Sequence, residues 1–208
     1  MIERFFILNY ESGLDVGPAY LSGNLNFSEY EWGLFCQNPH DVSINREYVF
    51  TVTDNEVENI DFDFYGEQSY LVSEKFLILS KDLEVDFRSV PVKIVMPDGK
   101  LSEKNYSYFL PGTYVSLLNQ KESSYEVDTN METGEPMEDK LFPGQPVYER
   151  IDRFVAKDIS TPNLFMCTEI LQLVCTDRFR KMAEEQGLKG IKFTPLDENY
   201  IFDPWADW

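Results

Sequence analysis

The segment Leu173–Leu196, "LVCTDRFRKMAEEQGLKGIKFTPL", carries the signals for a strand, a capped helix, a glycine stop and a second strand. Thr176 is placed as the N-cap, and Asp177 lies in the first turn, where its charge faces the positive end of the helix dipole. Three apolar residues fall on one helical face: Phe179, Met182 and Ala183. Gly187 supplies a left-handed residue after them. We therefore predict a helix that starts after Thr176 and ends at Gly187.

An earlier segment, Leu71–Ile94, "LVSEKFLILSKDLEVDFRSVPVKI", has a similar order of signals. Ser73 is placed as the cap, Glu74 is the first-turn acid and Phe76 matches Phe179. This helix lacks a glycine stop, and aligning the two segments needs a one-residue offset. Two interpretations stay open. The segments are either a true repeat that forms two equivalent supports, or two unrelated segments that use the same helix-start signals.

Most of the remaining sequence has the aromatic and β-branched composition of strands. In the stretch 57–66, "VENIDFDFYG", apolar residues alternate with Asp61 and Asp63, which predicts a half-buried strand with both acids on its solvent face. Residues 27–35, "FSEYEWGLF", predict a further short helix capped by Ser28. Residues 121–145 are rich in acids, glycine and proline, which predicts an exposed loop.

These patterns together predict an α+β fold: mostly antiparallel sheet with a few short helices, one of them packed near the C-terminus. Residues 1–68 form a β-rich N-terminal portion, either separate or part of the same domain, and residues 69–208 form the α+β domain. A chain of 208 residues with 43% hydrophobic residues can fill one large or two small cores.

The charge balance is unusual, because 37 acidic residues stand against 18 basic ones and give a formal net charge of −19. Such a surface repels phosphate backbones and anionic membranes, which disfavours nucleic-acid and membrane binding, and it attracts a basic protein or cations. The alternative is that the acidity only keeps the protein soluble. The three cysteines form no CxxC motif, the N-terminus lacks the pattern of a secretory signal, and no apolar run could span a membrane. We predict a cytoplasmic protein.

Few residues suggest chemistry. His40 follows Cys36 by four positions, but Asn38-Pro39 between them favours a surface turn over a nucleophilic pair. The acids of "DTNMETGEPMED" do not have the spacing of a calcium-binding loop, and the glycines of residues 13–23 do not form a phosphate-binding motif. We predict no catalytic residues, no metal site and no cofactor.

The stretch 163–196, "NLFMCTEILQLVCTDRFRKMAEEQGLKGIKFTPL", resembles the closing segment of a bacterial family of polymorphic-toxin immunity proteins, immunity protein family eleven. The positions that carry the resemblance are Leu164-Phe165, Leu173-Val174, Asp177-Arg178-Phe179 and Gly190-Ile191-Lys192-Phe193-Thr194-Pro195. The resemblance covers roughly residues 70–196. It implies a small cytosolic protein that binds and blocks a cognate toxin, and it transfers no catalytic residues.

A basic toxin would be held by acids and aromatic anchors on exposed segments. The predicted contact residues lie in the acidic insert and in the tail: Glu132, Glu135, Glu138, Asp139, Asp203, Trp205, Asp207 and Trp208. One alternative is that the tail aromatics simply dock on the core, and another is that the partner contacts the Asp61–Asp63 face. A carboxylate- or metal-dependent hydrolase and an acidic interaction scaffold remain as alternative functions.

Overall fold

The computed structural model describes residues 3–66 and 69–205. Two α-helices of nine residues each are present, α1 (Glu74–Asp82) and α2 (Asp177–Glu185), with a 3-10 turn at Pro39–Asp41. The strands are β1 (Phe5–Tyr10), β2 (Gly23–Leu25), β3 (Tyr48–Val52), β4 (Phe64–Tyr65), β5 (Tyr70–Ser73), β6 (Phe87–Val95), β7 (Tyr106–Pro111), β8 (Tyr114–Val115), β9 (Ser124–Val127), β10 (Tyr148–Arg153), β11 (Leu164–Cys167), β12 (Gln172–Thr176) and β13 (Ile191–Pro195).

The predicted α+β class is wrong, because the chain is mainly β, with 35% strand and 10% helix. Residues 27–35 do not form the predicted helix. The Asn26 side chain pairs with the backbone of Glu47 and Val49 at β3, which ties the start of this segment to a sheet. Tyr30 and Trp32 then turn their rings against Tyr48, so tertiary contacts override the local helix signal.

The strands form three sheets. One has the order β2-β3-β6-β7-β5-β4, the second has the order β13-β1-β12-β11-β8, and β9 and β10 form a two-stranded ribbon. Antiparallel pairs predominate, while β3–β6 and β8–β11 are parallel. The first strand of the chain lies inside the second sheet, between two strands from its C-terminal part.

The two similar sequence segments form equivalent structural units. In the first unit the hairpin β4–β5 leads into α1, and the neighbouring strands follow in the order β4-β5-β7-β6. In the second unit the hairpin β11–β12 leads into α2, and the order is β11-β12-β1-β13. All of these pairs are antiparallel, so β1 takes in the second unit the place that β7 takes in the first. The arrangement supports the repeat interpretation.

The capping signals are confirmed in both units. Ser73 Oγ accepts a hydrogen bond from the backbone N–H of Phe76 at 3.3 Å, and Thr176 Oγ1 accepts one from Phe179 at 3.4 Å. The rings of Phe76 and Phe179 meet edge to face with centroids 5.7 Å apart, so the two helices share one core. The predicted end of α2 is also confirmed, since Gly187 follows the last turn with φ +64°.

A polar residue immediately before each hairpin fixes the cap. Ser73 Oγ donates to Asp63 Oδ1 at 2.6 Å, and Thr176 Oγ1 is 3.0 Å from Asn163 Oδ1. The backbone N–H groups of Ser73 and Thr176 also bond to the carbonyl oxygens of Asp63 and Asn163. The hairpin, the cap and the helix start are thus one hydrogen-bonded junction in each unit.

The second polar atom of each side chain reaches the other unit. Asp63 Oδ2 accepts the backbone N–H of Lys189, just beyond α2, at 2.8 Å. Asn163 Nδ2 donates to the carbonyl of Leu83, at the end of α1, at 3.1 Å. Each unit therefore braces the end of the other unit's helix.

The predicted half-buried strand at residues 57–66 is largely wrong, because only Phe64–Tyr65 pair as a strand and Asp63 is 1% exposed. The Lys104 ammonium lies 2.9 Å from Asp63 and 2.7 Å from Asp61, and Lys189 also pairs with Asp61. The acids therefore hold neighbouring segments together, and they do not form the expected solvent face. Alternation failed as a guide because both sides of this segment are covered by other parts of the chain.

Candidate functional site

The acidic insert between β9 and β10, called the acidic hairpin below, reverses direction at residues 130–135 and again at residues 139–145. In the first reversal, Asn130 Oδ1 accepts the backbone N–H groups of Glu132 and Thr133, and Gly134 has φ +71°. Backbone bonds between Asp128, Met137 and Val147 hold its base. Most of the insert is exposed as predicted, but its first residues include strand β9, Phe142 is buried, and hydrogen bonds organise most of the segment.

The predicted contact acids of the hairpin are accessible. Glu132, Glu135 and Glu138 are exposed, and Asp139 is half-buried. Glu138 Oε1 accepts the backbone N–H of Gly144, and Asp139 Oδ1 accepts those of Leu141 and Phe142. Within residues 3–66 and 69–205, none of the four carboxylates lies within ion-pair distance of a basic side chain. Their negative charge is consequently directed at solvent.

The tail adds to the free edge of β10. Phe202 and Ile151 exchange two backbone hydrogen bonds of 2.8 and 2.9 Å, and Tyr200 and Phe202 pack against the core under the ribbon. Asp203 lies 3.6 Å from Arg150 and accepts the backbone N–H of Trp205. The Trp205 side chain is 63% exposed, so the docking of the tail leaves this ring free. Asp207 and Trp208 lie outside the described residues.

The insert and the tail lie at the same end of the ribbon. The tail runs antiparallel to β10, because Phe202 pairs with Ile151 in that sense and Asp203 faces Arg150. Residues after Phe202 therefore head towards Tyr148, where the hairpin joins β10. Asp203 therefore lies towards the end of the ribbon from which the hairpin extends.

The hairpin also contacts a segment that is far away in sequence. Gln37 Nε2 donates to the carbonyl of Leu141, and the rings of Tyr114 and Phe142 lie 5.6 Å apart. Residues 30–37 therefore border the acidic hairpin. Sequence reasoning missed this neighbour, since its only signal was a short aromatic and apolar stretch that had been interpreted as a helix.

A family model described as Immunity protein 43 matches residues 26–202. The chain belongs to the Immunity protein 43 family. The predicted resemblance to a toxin-immunity family is therefore confirmed, but its assignment to immunity protein family eleven is wrong. No curated protein matches the chain.

Membership in the Immunity protein 43 family indicates a role in immunity to a toxin. The matched segment contains the ribbon, the acidic hairpin and the tail as far as Phe202. No helix within residues 3–66 or 69–205 is long and apolar enough to cross a membrane.

The other chemical candidates in this Immunity protein 43 chain have structural partners. His40 Nε2 lies 2.8 Å from Asp86 Oδ1 on the surface. In the described part of the chain, Cys36 makes no hydrogen bond to His40. In the same part, no three His, Cys, Asp or Glu side chains converge on a possible metal position.

One buried acid was not anticipated from the sequence. Glu169 is 5% exposed and accepts hydrogen bonds from the backbone N–H groups of Leu117 and Leu118 and from Ser116 Oγ. These donors come from the segment that follows β8, so the carboxylate anchors that segment to the β11–β12 hairpin. Its contacts indicate a structural role.

Proposed function

We propose that this protein neutralises a cognate bacterial toxin domain in the cytoplasm by binding it and occluding its active site, without catalysis of its own. The observation that carries the proposal is the hairpin of solvent-directed, unpaired carboxylates in a chain that belongs to an immunity family. Exposed charge that is not consumed by internal ion pairs is available to an oppositely charged partner.

The partner is a basic domain. The formal net charge of −19 repels other acidic surfaces, and an approaching cationic domain experiences an attractive field before contact. Exposed acids of this kind mainly raise the association rate, whereas buried aromatic anchors mainly slow dissociation. We therefore assign encounter to Glu132, Glu135 and Glu138, and retention to Trp205.

The test uses the cognate toxin domain, identified by copurification with this protein and prepared in a catalytically inactive form. Reversing Glu132, Glu135 and Glu138 to lysine should slow association about tenfold at low salt and flatten its salt dependence. Trp205→Ala should leave association unchanged and speed dissociation about tenfold, the effect of losing roughly 1.4 kcal/mol of interface energy. Surface plasmon resonance across a salt series measures both rates.

Matched controls separate local contacts from global charge. Glu56, Glu58 and Glu103 are exposed and lack ion-pair partners among the described residues, so their reversal to lysine changes the net charge equally. Tyr20→Ala is the control for Trp205→Ala, because it removes the ring of a residue that is 74% exposed and lies outside the insert and the tail. Equal slowing by the two charge reversals would contradict the assignment to the hairpin. Failure of the parent protein to bind the toxin would contradict the proposed function itself.

A further inference from the structure

A preformed cavity of about 120 Å³ lies beside the acidic hairpin, between residues 30–36 and the four strands β5, β7, β8 and β11. Six large side chains form most of its wall: Tyr30, Trp32, Tyr108, Phe109, Tyr114 and Met166. Leu34, which is 55% exposed, and the half-buried Cys36 also line it. The cavity is thus reached past residues that are themselves accessible to solvent.

The aromatic wall is held in place without a ligand. Tyr30 and Trp32 are stacked with centroids 4.7 Å apart, and the Tyr30 hydroxyl lies 3.3 Å from that of Tyr108. The segment that carries these rings is anchored by Glu31, whose carboxylate accepts the backbone N–H groups of Asn45 and Arg46. A partner side chain that enters would meet a rigid site, so little conformational entropy is lost on binding.

The lining determines which side chain fits. None of the described residues that line the cavity is charged, so a cation placed there would lose its hydration without gaining a carboxylate. Burial raises the pKa of the Tyr108 and Tyr114 phenols, which keeps these walls neutral. A cavity on the order of 150 Å³ can hold a benzene ring, which sets the scale for one large apolar side chain.

The surroundings of the cavity determine the chemistry next to that side chain. The hairpin docks here through Gln37 and Leu141, and Leu141 is itself 42% exposed. Glu138 and Asp139, which have no ion-pair partner among the described residues, precede Leu141 by only two or three residues. An apolar side chain bound in the cavity would therefore be flanked by a negative field, which favours basic residues around it.

We propose that the cavity receives one large apolar side chain of the toxin, such as leucine, methionine or phenylalanine, flanked by basic residues that contact the acidic hairpin. The inference rests on the proposed function, because it names a contact point for the same partner. It adds to Trp205 a second apolar anchor of the interface, in a pocket that residues 30–37 and the hairpin border.

Cys36 offers a direct test. It is half-buried in the cavity wall, whereas Cys167 and Cys175 are fully buried, and burial raises the pKa of both of those thiols. N-ethylmaleimide should therefore modify Cys36 first in the native protein. Saturation with the inactive cognate toxin domain should slow that modification at least tenfold.

A substitution tests the same point by obstruction. Cys36→Trp should fill the mouth of the cavity and weaken toxin binding at least tenfold, mainly through faster dissociation, with an unchanged circular dichroism spectrum. Leu14→Trp, at a fully exposed residue near Asn59 and Lys189, adds the same ring elsewhere and should bind like the parent.

The outcomes separate the two proposals. If the parent binds toxin while Cys36 stays equally reactive in the complex and Cys36→Trp binds normally, the cavity assignment is wrong and the proposed function stands. If the parent itself does not bind the toxin, the proposed function is wrong and this inference fails with it. Protection of Cys36 supports the assignment even if Cys36→Trp does not fold.

Discussion

Asp63 in the first unit and Asn163 in the second occupy equivalent positions but differ in charge. The side-chain oxygen of each accepts a hydrogen bond from the hydroxyl that caps its own unit's helix. Asp63 additionally accepts from the Lys189 N–H and pairs with Lys104, so all of its partners are donors. Asn163 faces the Leu83 carbonyl, which is an acceptor. The backbone group at the end of the other unit's helix therefore decides which side chain fits: a donor there suits a carboxylate, and an acceptor suits an amide.

The helix stops differ as well. After α2, Gly187 adopts φ +64° without cost, but after α1 the same left-handed position is occupied by Glu84 with φ +53°. The backbone bonds that follow are the same in both units: Val85 N–H to Ser80 O and Leu188 N–H to Ala183 O, both at 2.9 Å. The first unit thus forms the same helix end with a residue whose left-handed conformation is more costly than that of glycine.

Exchanging the two polar residues should have the largest effect. Asp63→Asn turns an amide N–H₂ towards donors and leaves the 29%-exposed Lys104 ammonium without its buried partner, at a cost of about 3 kcal/mol. Asn163→Asp places a carboxylate oxygen against the Leu83 carbonyl and should cost about 2 kcal/mol. Urea denaturation measures both free energies of unfolding. If either exchange is neutral, partner chemistry does not explain the difference between the units.

Removing the capping hydroxyls should have the next largest effect. Ser73→Ala and Thr176→Ala each remove a helix cap worth about 1 kcal/mol. Ser73→Ala should cost roughly 1 kcal/mol more, because Ser73 donates to a buried carboxylate, whereas Thr176 donates to the neutral amide of Asn163. Thermal unfolding followed by circular dichroism compares the two variants. Equal losses would show that the charge of Asp63 does not strengthen the Ser73–Asp63 hydrogen bond.

The helix stops should respond in opposite directions. Gly187→Ala forces a side chain into the left-handed region and should destabilise the fold by about 1 kcal/mol. Glu84→Gly relieves the same strain in the first unit and should stabilise the fold. We expect a gain of only about 0.5 kcal/mol, because glycine also raises the entropy of the unfolded chain and so offsets part of the relief. We expect the urea midpoint to fall for Gly187→Ala and to rise for Glu84→Gly, which would confirm that the two positions are equivalent helix stops. Shifts of both midpoints in the same direction would refute this equivalence.

The smallest expected difference is one of pH dependence. Hydrogen bonds from Lys104 and Lys189 hold the pKa of Asp61 below its ordinary value of 3.8. Its contribution is therefore present above about pH 4 and is lost as the pH falls through the lowered folded-state pKa. The stability difference between the parent and Asp61→Asn should be below about 1 kcal/mol, constant from pH 5 to 7, and should shrink below pH 4.

A neutral contact in the second unit provides the control. The stability difference between the parent and Asn163→Ala should not vary with pH over the same range, because no titrating group is removed. Urea denaturation from pH 3 to 7 gives both differences. A pH-independent effect of Asp61→Asn would show that its ion pairs contribute nothing to folding.

Local signals were sufficient for α1 and α2, but they did not reveal the burial of acids. The caps at Ser73 and Thr176 and the stop at Gly187 act over one helical turn, so the sequence alone reveals them. The alternation of apolar and acidic residues predicted that Asp63 faces solvent. It is buried instead, because it binds Lys104 and Lys189, which are distant in the chain. Burial there depends on contacts that no local pattern records.

The candidate site was also only partly predictable. Composition alone identified the exposed acidic insert, because a segment without apolar periodicity cannot enter a core. The cavity was not foreseen, since its wall combines residues such as Trp32, Tyr108 and Met166 from three separate parts of the chain. The helix predicted over residues 27–35 concealed it, because Tyr30 and Trp32 lie instead in an irregular segment that lines the cavity.

The position of β1 also sets the time at which the protein becomes able to act. This strand pairs with β12 and β13, so residues 5–10 cannot complete their sheet until residues 172–195 have left the ribosome. At about 5–20 residues per second, synthesis from Tyr10 to Gln172 takes on the order of ten seconds or more. A partly made chain lacks this sheet, and under the proposed function protection against an incoming toxin would depend on molecules already finished when it arrives.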